Sequence, residues 1–120
     1  MGVTLRQILD LEVLRRAGVR VVAGADQLDR PVRWVHIAEI ADIAQLINGG
    51  ELLLTTGMQL EDPESQRSFV ARLCDHQLAG LGFGTGFAHP EVPAAVLDVT
   101  NRRGAMHHPI ATVSWELVAF

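Results

Sequence analysis

Three stretches of this sequence hold residues of a type and spacing that could meet a ligand. Leu54-Thr55-Thr56-Gly57 brings two hydroxyls and a glycine to the end of an apolar run. Such hydroxyls either hydrogen-bond a ligand or satisfy the loop's own backbone. Gly82-Phe83-Gly84-Thr85-Gly86 spaces three glycines through a second apolar run. Glycines there either let backbone N–H groups approach a phosphate or let neighbouring elements pack close. In the third stretch, Arg30-Pro31-Val32-Arg33-Trp34-Val35-His36, the side chains of Arg33 and His36 flank Trp34. A guanidinium pairs with carboxylates and stacks on rings, so that pattern suits an anionic or planar ligand. The candidate ligand contacts are therefore Arg33, His36, Thr55, Thr56, Gly84 and Gly86.

Other chemistries find little support. The glycine spacing departs from the dinucleotide fingerprint G-x-G-x-x-G, and a phosphate-loop lysine is impossible because all ten basic residues are arginine. His107 and His108 are adjacent, and Cys74 and His76 diverge by about 200° on a helix, so neither pair ligates one ion comfortably. No H-x₃-H or H-E-x-x-H occurs, and no metal or other cofactor is expected. Cys74 lies on an apolar stripe beside Asp75, which disfavours a thiolate. Ser65, Ser68 and Ser114 lie in no G-x-S-x-G elbow. Glu39 and Glu51 could pair as acid and base, but a solvated or ion-paired role is the simpler expectation. No catalytic residue is assigned and no enzyme is expected.

The elements that must position these residues follow from local pattern. Thr4 and Gln7 form a capping box ahead of a short helix to about Leu11, and a second helical stretch covers Glu12–Ala17. Val19–Gly24 and Val32–Ile37 read as strands. Asp42 caps a short helix through Ile47, ended by Asn48-Gly49-Gly50. Leu52–Thr56 is apolar on both faces, as in the middle of a covered sheet. Asp62-Pro63 starts a strong helix with Phe69, Val70, Leu73 and Cys74 on its buried stripe and Gly80 at its end. Leu81–Gly86 is a strand running into a glycine-rich loop. Pro90 and Pro93 open a helix that stops near Gly104. Pro109–Val113 is the last strand, and Trp115–Phe120 an apolar tail. Strands alternating with helices predict an α/β fold: a single domain with a mostly parallel sheet of about five strands and helices packed on it. The turns after Thr56 and Gly86 then lie at carboxyl ends of strands, where open α/β sheets bind ligands.

Composition sets the frame. The 120 residues are 48% hydrophobic and 20% charged, and one cysteine excludes an internal disulfide and every multi-cysteine metal motif. A net charge of −4 argues against direct nucleic-acid binding. The apolar runs fall far short of the roughly 20 residues of a membrane span, and the first residues lack a secretory layout. A cytoplasmic location without membrane partners is expected.

Thr4-Leu5-Arg6-Gln7-Ile8-Leu9, Val21-Val22-Ala23-Gly24, Leu28-Asp29-Arg30-Pro31-Val32-Arg33-Trp34-Val35-His36 and Gly49-Gly50-Glu51-Leu52-Leu53-Leu54-Thr55-Thr56-Gly57 occur in one order and spacing. That succession closely resembles the N-terminal domain of the PucR-type purine catabolism regulators, bacterial transcription factors, over essentially residues 1–120. The Asp29–Trp34 block also resembles, more distantly, the N-terminal domains of HPr kinase and related regulatory modules. The PucR resemblance implies a regulatory domain that senses a small-molecule effector, such as a purine-breakdown product or other nitrogenous compound. It implies DNA contact only through a C-terminal part outside this chain. The alternative within the same family is a structural homodimerisation module, and a homo-oligomer is expected in either case.

Overall fold

A computed structural model describes residues 3–39, 47–100 and 110–116 of the chain. In chain order the elements are β1 (Val3–Thr4), α1 (Leu5–Leu9), α2 (Glu12–Arg16), β2 (Arg20–Ala23), β3 (Pro31–Val32), β4 (Trp34–Ile37) and β5 (Glu51–Thr55). They continue with α3 (Pro63–Asp75), β6 (Gly80–Thr85), α4 (Ala94–Thr100) and β7 (Thr112–Glu116). The main sheet has the order β2-β7-β6-β5-β4, with only β2 antiparallel to its neighbour. A mostly parallel five-stranded sheet with packed helices is therefore what the chain forms.

Strands β4 to β7 follow one another across the sheet in sequence order. Crossovers of one hand then put the connecting helices on one face. Accordingly α3 and α4 share a core cluster with Leu53, Leu81, Phe83 and Ile110. The opposite face is covered by the N-terminal part, where Leu5 and Leu28 pack on Leu52, Ala111 and Val113. Alternation along β5 and β6 explains the split, since successive side chains point to opposite faces. Each fully buried Leu or Phe contributes about 1.5–3 kcal/mol of transfer free energy. On the N-terminal face, β6 presents Gly80 and Gly82. A Cβ on Gly80 would lie 2.9 Å from Leu5 Cδ2, and one on Gly82 2.5 Å from Leu54 Cδ2 and 3.1 Å from Trp115. At these two positions the glycines make room for neighbouring side chains.

Helix α3 starts as its sequence dictates. Asp62 accepts from the Ser65 N–H, Ser65 Oγ reciprocates toward Asp62, and Pro63 occupies the first turn. Gln66, Phe69, Val70, Leu73 and Cys74 form its buried side. It ends at Asp75 rather than Gly80. Gln77 takes the left-handed conformation that closes it (φ +55°) and Gly80 already begins β6. The capping box of Thr4 and Gln7 is also formed.

Three further expectations shift. Val32–Ile37 is two strands broken at Arg33, because β3 pairs antiparallel with β1 while β4 pairs parallel with β5. The last strand lies later, at Thr112–Glu116, so Trp115 belongs to the sheet and not to a tail. Its register is set by pairing with β6, Gly84 opposite Trp115. Glu51 is not solvated and has no ion-pair partner among the described residues: it is 1% exposed, one oxygen accepts from the Asn48 N–H, and Oε1 has no hydrogen-bond partner among them. The helix expected after Asp42, the residues around Gly104, the His107-His108 pair and the chain from Leu117 lie outside the described residues.

Burial pushes the Cys74 thiol up to about 12, with Asp75 adding to the effect. Thiol reagents at pH 8 are expected to label Cys74 only as fast as the chain unfolds, with labelling in denaturant as the control. Because the native state keeps a proton that the unfolded chain releases, stability should fall as pH rises from about 9 toward 12. Denaturation midpoints measured across that window check the sign.

Candidate functional site

The parallel strands β4 to β7 share a direction, so their two ends form two separate polar surfaces. At the carboxyl ends, Thr55 closes β5 and Thr56-Gly57 turns away from it. Glu39, just past β4, lays its carboxylate on this turn. Oε1 accepts from the Thr56 N–H and from Thr56 Oγ, both at 2.9 Å, and Oε2 accepts from Thr55 Oγ at 3.2 Å. Thr55 Oγ itself accepts from the Gly57 N–H at 3.1 Å and Gln59 Nε2 at 3.2 Å. The His89 Nε2–H donates to the Gly57 carbonyl at 3.0 Å, and its ring tilts against Phe83. The Gly86 N–H donates to the His89 carbonyl at 2.7 Å. Gly57 has φ +75°, and a Cβ there would lie 2.4 Å from Phe83 Cζ, so both conformation and space require glycine.

At the amino ends, a cleft of about 470 Å³ is lined by Arg30, Arg33, Asn48, Gly49, Gly50 and Gln77, with Pro31 and Ala79. Arg30 is anchored by donating to the Leu78 carbonyl at 3.1 Å. The Arg33 N–H donates to the Gly50 carbonyl at 2.7 Å, and the Arg33 side chain lies across Gly50, where a Cβ would meet its Cδ at 2.9 Å. Gly50, with φ +84°, thus fixes both the turn into β5 and the seat of the Arg33 stem.

Size does not single this cleft out, because two others are comparable. One of about 380 Å³ is lined by apolar side chains from Leu5 to Trp115 on the N-terminal face. Another of about 450 Å³ sets Arg20 beside Glu91 and Glu116. Charge does distinguish them. Among the described residues the amino-end cleft is lined by two arginines and no acidic residue, whereas Arg20 shares its cleft with two glutamates.

The six candidate contacts are therefore not gathered at one place. Thr55, Thr56 and Gly86 meet at the carboxyl ends, where Glu39 engages both threonine hydroxyls. Arg33 stands at the amino ends level with Gly50, about 16 Å from Thr55 for five residue steps along β5. His36 is exposed on β4 opposite Leu53, and Gly84 is buried within β6 opposite Trp115. Glu39 and Glu51 also lie at opposite ends of β5, so they form no acid–base pair. Sequence reasoning missed Arg30 and Gln77 as cleft partners of Arg33, and Glu39 and His89 as partners of the threonine turn. The Arg-x-x-Arg spacing across Pro31 was visible; the partners of the turn come from distant parts of the chain and left no local signal. Among the described residues no group of three His, Cys, Asp or Glu side chains converges to hold a metal, and no helix is long and apolar enough to cross a membrane.

Comparison with known proteins bears on what this arrangement serves. The model of the Purine catabolism regulatory protein-like family (PucR) matches residues 7–117. The Transcriptional activator PmfR of Paenarthrobacter nicotinovorans is 30% identical over 97 residues, which is 80% of this chain and 21% of that protein. The chain thus spans about a fifth of the length of the curated relative it matches. No solved structure matches.

The geometry around Gly50 separates a structural glycine from an arginine that the fold does not need. Gly50→Ala should cost at least about 1–2 kcal/mol from the left-handed backbone alone. Arg33→Ala, at an exposed position, should stay within about 0.5 kcal/mol of the parent. Urea denaturation of the two variants checks both values.

Proposed function

Because this chain belongs to the Purine catabolism regulatory protein-like family, we propose that it is a non-catalytic signal-input domain of a transcription regulator whose small anionic effector binds the Arg30–Arg33 cleft. The observation that carries this reading is the pair of arginines in one cleft with no carboxylate among its described lining residues. Arginine forks bind carboxylates in two-point geometry, and a planar nitrogenous acid matches both the charge and the flat donor array. Asn48, Gln77 and the backbone of Gly49 and Gly50 supply further polar groups for such a compound. A purine-breakdown product belongs to that chemical class. The domain signals by binding its effector better in one conformation than in another, and DNA is contacted by another part of the longer regulator, in the cytoplasm.

The second reading, a homodimerisation module, is favoured by one feature. Strand β4 is the edge of the sheet, and its Trp34, Val35 and Ile37 are 63%, 56% and 78% exposed. An apolar edge of this kind is a template for pairing with another chain. Sedimentation of the ligand-free chain distinguishes the readings: a dimer dispersed by Ile37→Lys supports the module, and a monomer opposes it.

Calorimetry with a panel of nitrogenous carboxylates, matched to their uncharged amides, tests the sensor. Binding of the acids but not the amides is expected, weakened at least tenfold (about 1.4 kcal/mol) by Arg33→Gln or Arg30→Gln. Equal binding by both variants, or no binding of any acid at millimolar concentration, contradicts it.

A further inference from the structure

We propose that the Thr55–Gly57 turn is a carboxylate-binding site, filled in the resting domain by Glu39 of the same chain and open to a small organic acid when the end of β4 disengages. This inference rests on the carboxyl-end network and does not depend on the arginine cleft.

Three donors, the Thr56 N–H and the two threonine hydroxyls, converge on one carboxylate. Their aim is set without Glu39. The Thr55 oxygen already accepts two hydrogen bonds, from the Gly57 N–H and Gln59 Nε2, so its single proton is left for an acceptor outside the turn. Gly57 is wedged against the Phe83 ring, and its carbonyl is held by His89. Thr55 is 2% exposed and sits in the central strand β5. The receptor is thus built on the rigid side of the contact. Its occupant comes from the edge of the sheet: Glu39 follows β4, whose four residues are all exposed, and is joined to it by Ala38, which is buried in the core and donates its N–H to the Leu54 carbonyl at 3.0 Å. A pre-shaped receptor with a tethered occupant just past an exposed edge strand is a releasable contact. While Glu39 is in place, its tether gives it a millimolar or higher effective concentration, so dilute external acids do not compete.

Removal of the occupant makes the site visible. Glu39→Ala is expected to lower Tm by roughly 5–10 °C, the loss of charge-assisted hydrogen bonds in a domain of this size. Sodium acetate should then restore part of that loss saturably, where sodium chloride at equal ionic strength does not. The parent chain should show no difference between the two salts, and Glu39→Ala combined with Thr56→Val should lose the acetate effect. Equal responses to acetate and chloride in Glu39→Ala, or acetate rescue that persists in the double variant, overturns the proposal. If the alanine variant does not fold, Glu39→Gln keeps the shape and one acceptor oxygen. Hydrogen exchange at the Ala38 amide should then rise at least tenfold relative to Leu53, and an unchanged ratio overturns the proposal equally.

Discussion

Burying a strand on both faces takes its side chains out of water and leaves only its ends for polar work. Strands β5 and β6 are in that position, with Leu53, Leu81 and Phe83 under α3 and α4, and Leu52 facing Leu5 and Ala111 on the other side. Every other feature answers to this constraint. Gly80 and Gly82 make room for Leu5, Leu54 and Trp115 where two layers meet over β6. The polar residues of the central strands gather at the two ends, around Glu51 and Gly50 on one side and Thr55 and Thr56 on the other. The sheet holds those two sets apart.

The strand order also decides what kind of cleft can form. Open α/β sheets place ligand crevices where successive crossovers part to opposite faces. Here β4 to β7 progress in one direction, and the two described crossover helices, α3 and α4, share a face without such a parting between them. At the carboxyl ends the donors of the threonine turn are met by Glu39 instead. At the amino ends the turn through Asn48-Gly49-Gly50 and the Arg30–Arg33 segment leave a cleft lined by two arginines, with the Glu51 carboxylate buried behind Asn48. One short strand, β4, spans both ends, with Arg33 before it and Glu39 after it.

Sequence legibility followed the range of the interactions. The start of α3 was readable because Asp62, Pro63 and Ser65 act within one turn, and β5 because an uninterrupted apolar run has few places to go. The place of Cys74 on a buried stripe followed from helical period alone. Arg33 looked like part of a continuous strand, since nothing local shows that β3 turns to pair with β1 while β4 joins β5. The end of α3 at Asp75 was hidden because Gln77, which closes it, carries no signal for the left-handed conformation, and Gly80 three residues on looked the better stop. Thr55 and Thr56 were recognisable as donors, but their occupant is 16 or 17 residues upstream. Arg33 was readable as a cation, yet its place beside Arg30 in one cleft depends on the break between β3 and β4 and on Gly50 beneath it.

A rigid central pair of strands with a weakly held edge that links two polar ends is the core of this account. Native-state hydrogen exchange followed residue by residue tests it most directly. Amides of β5 and β6 should exchange only through global unfolding, while those of β4 open at a free energy lower by several kcal/mol. Protection of β4 equal to that of β6 would contradict the account, because the edge would then be as firmly built as the core it is said to be released from.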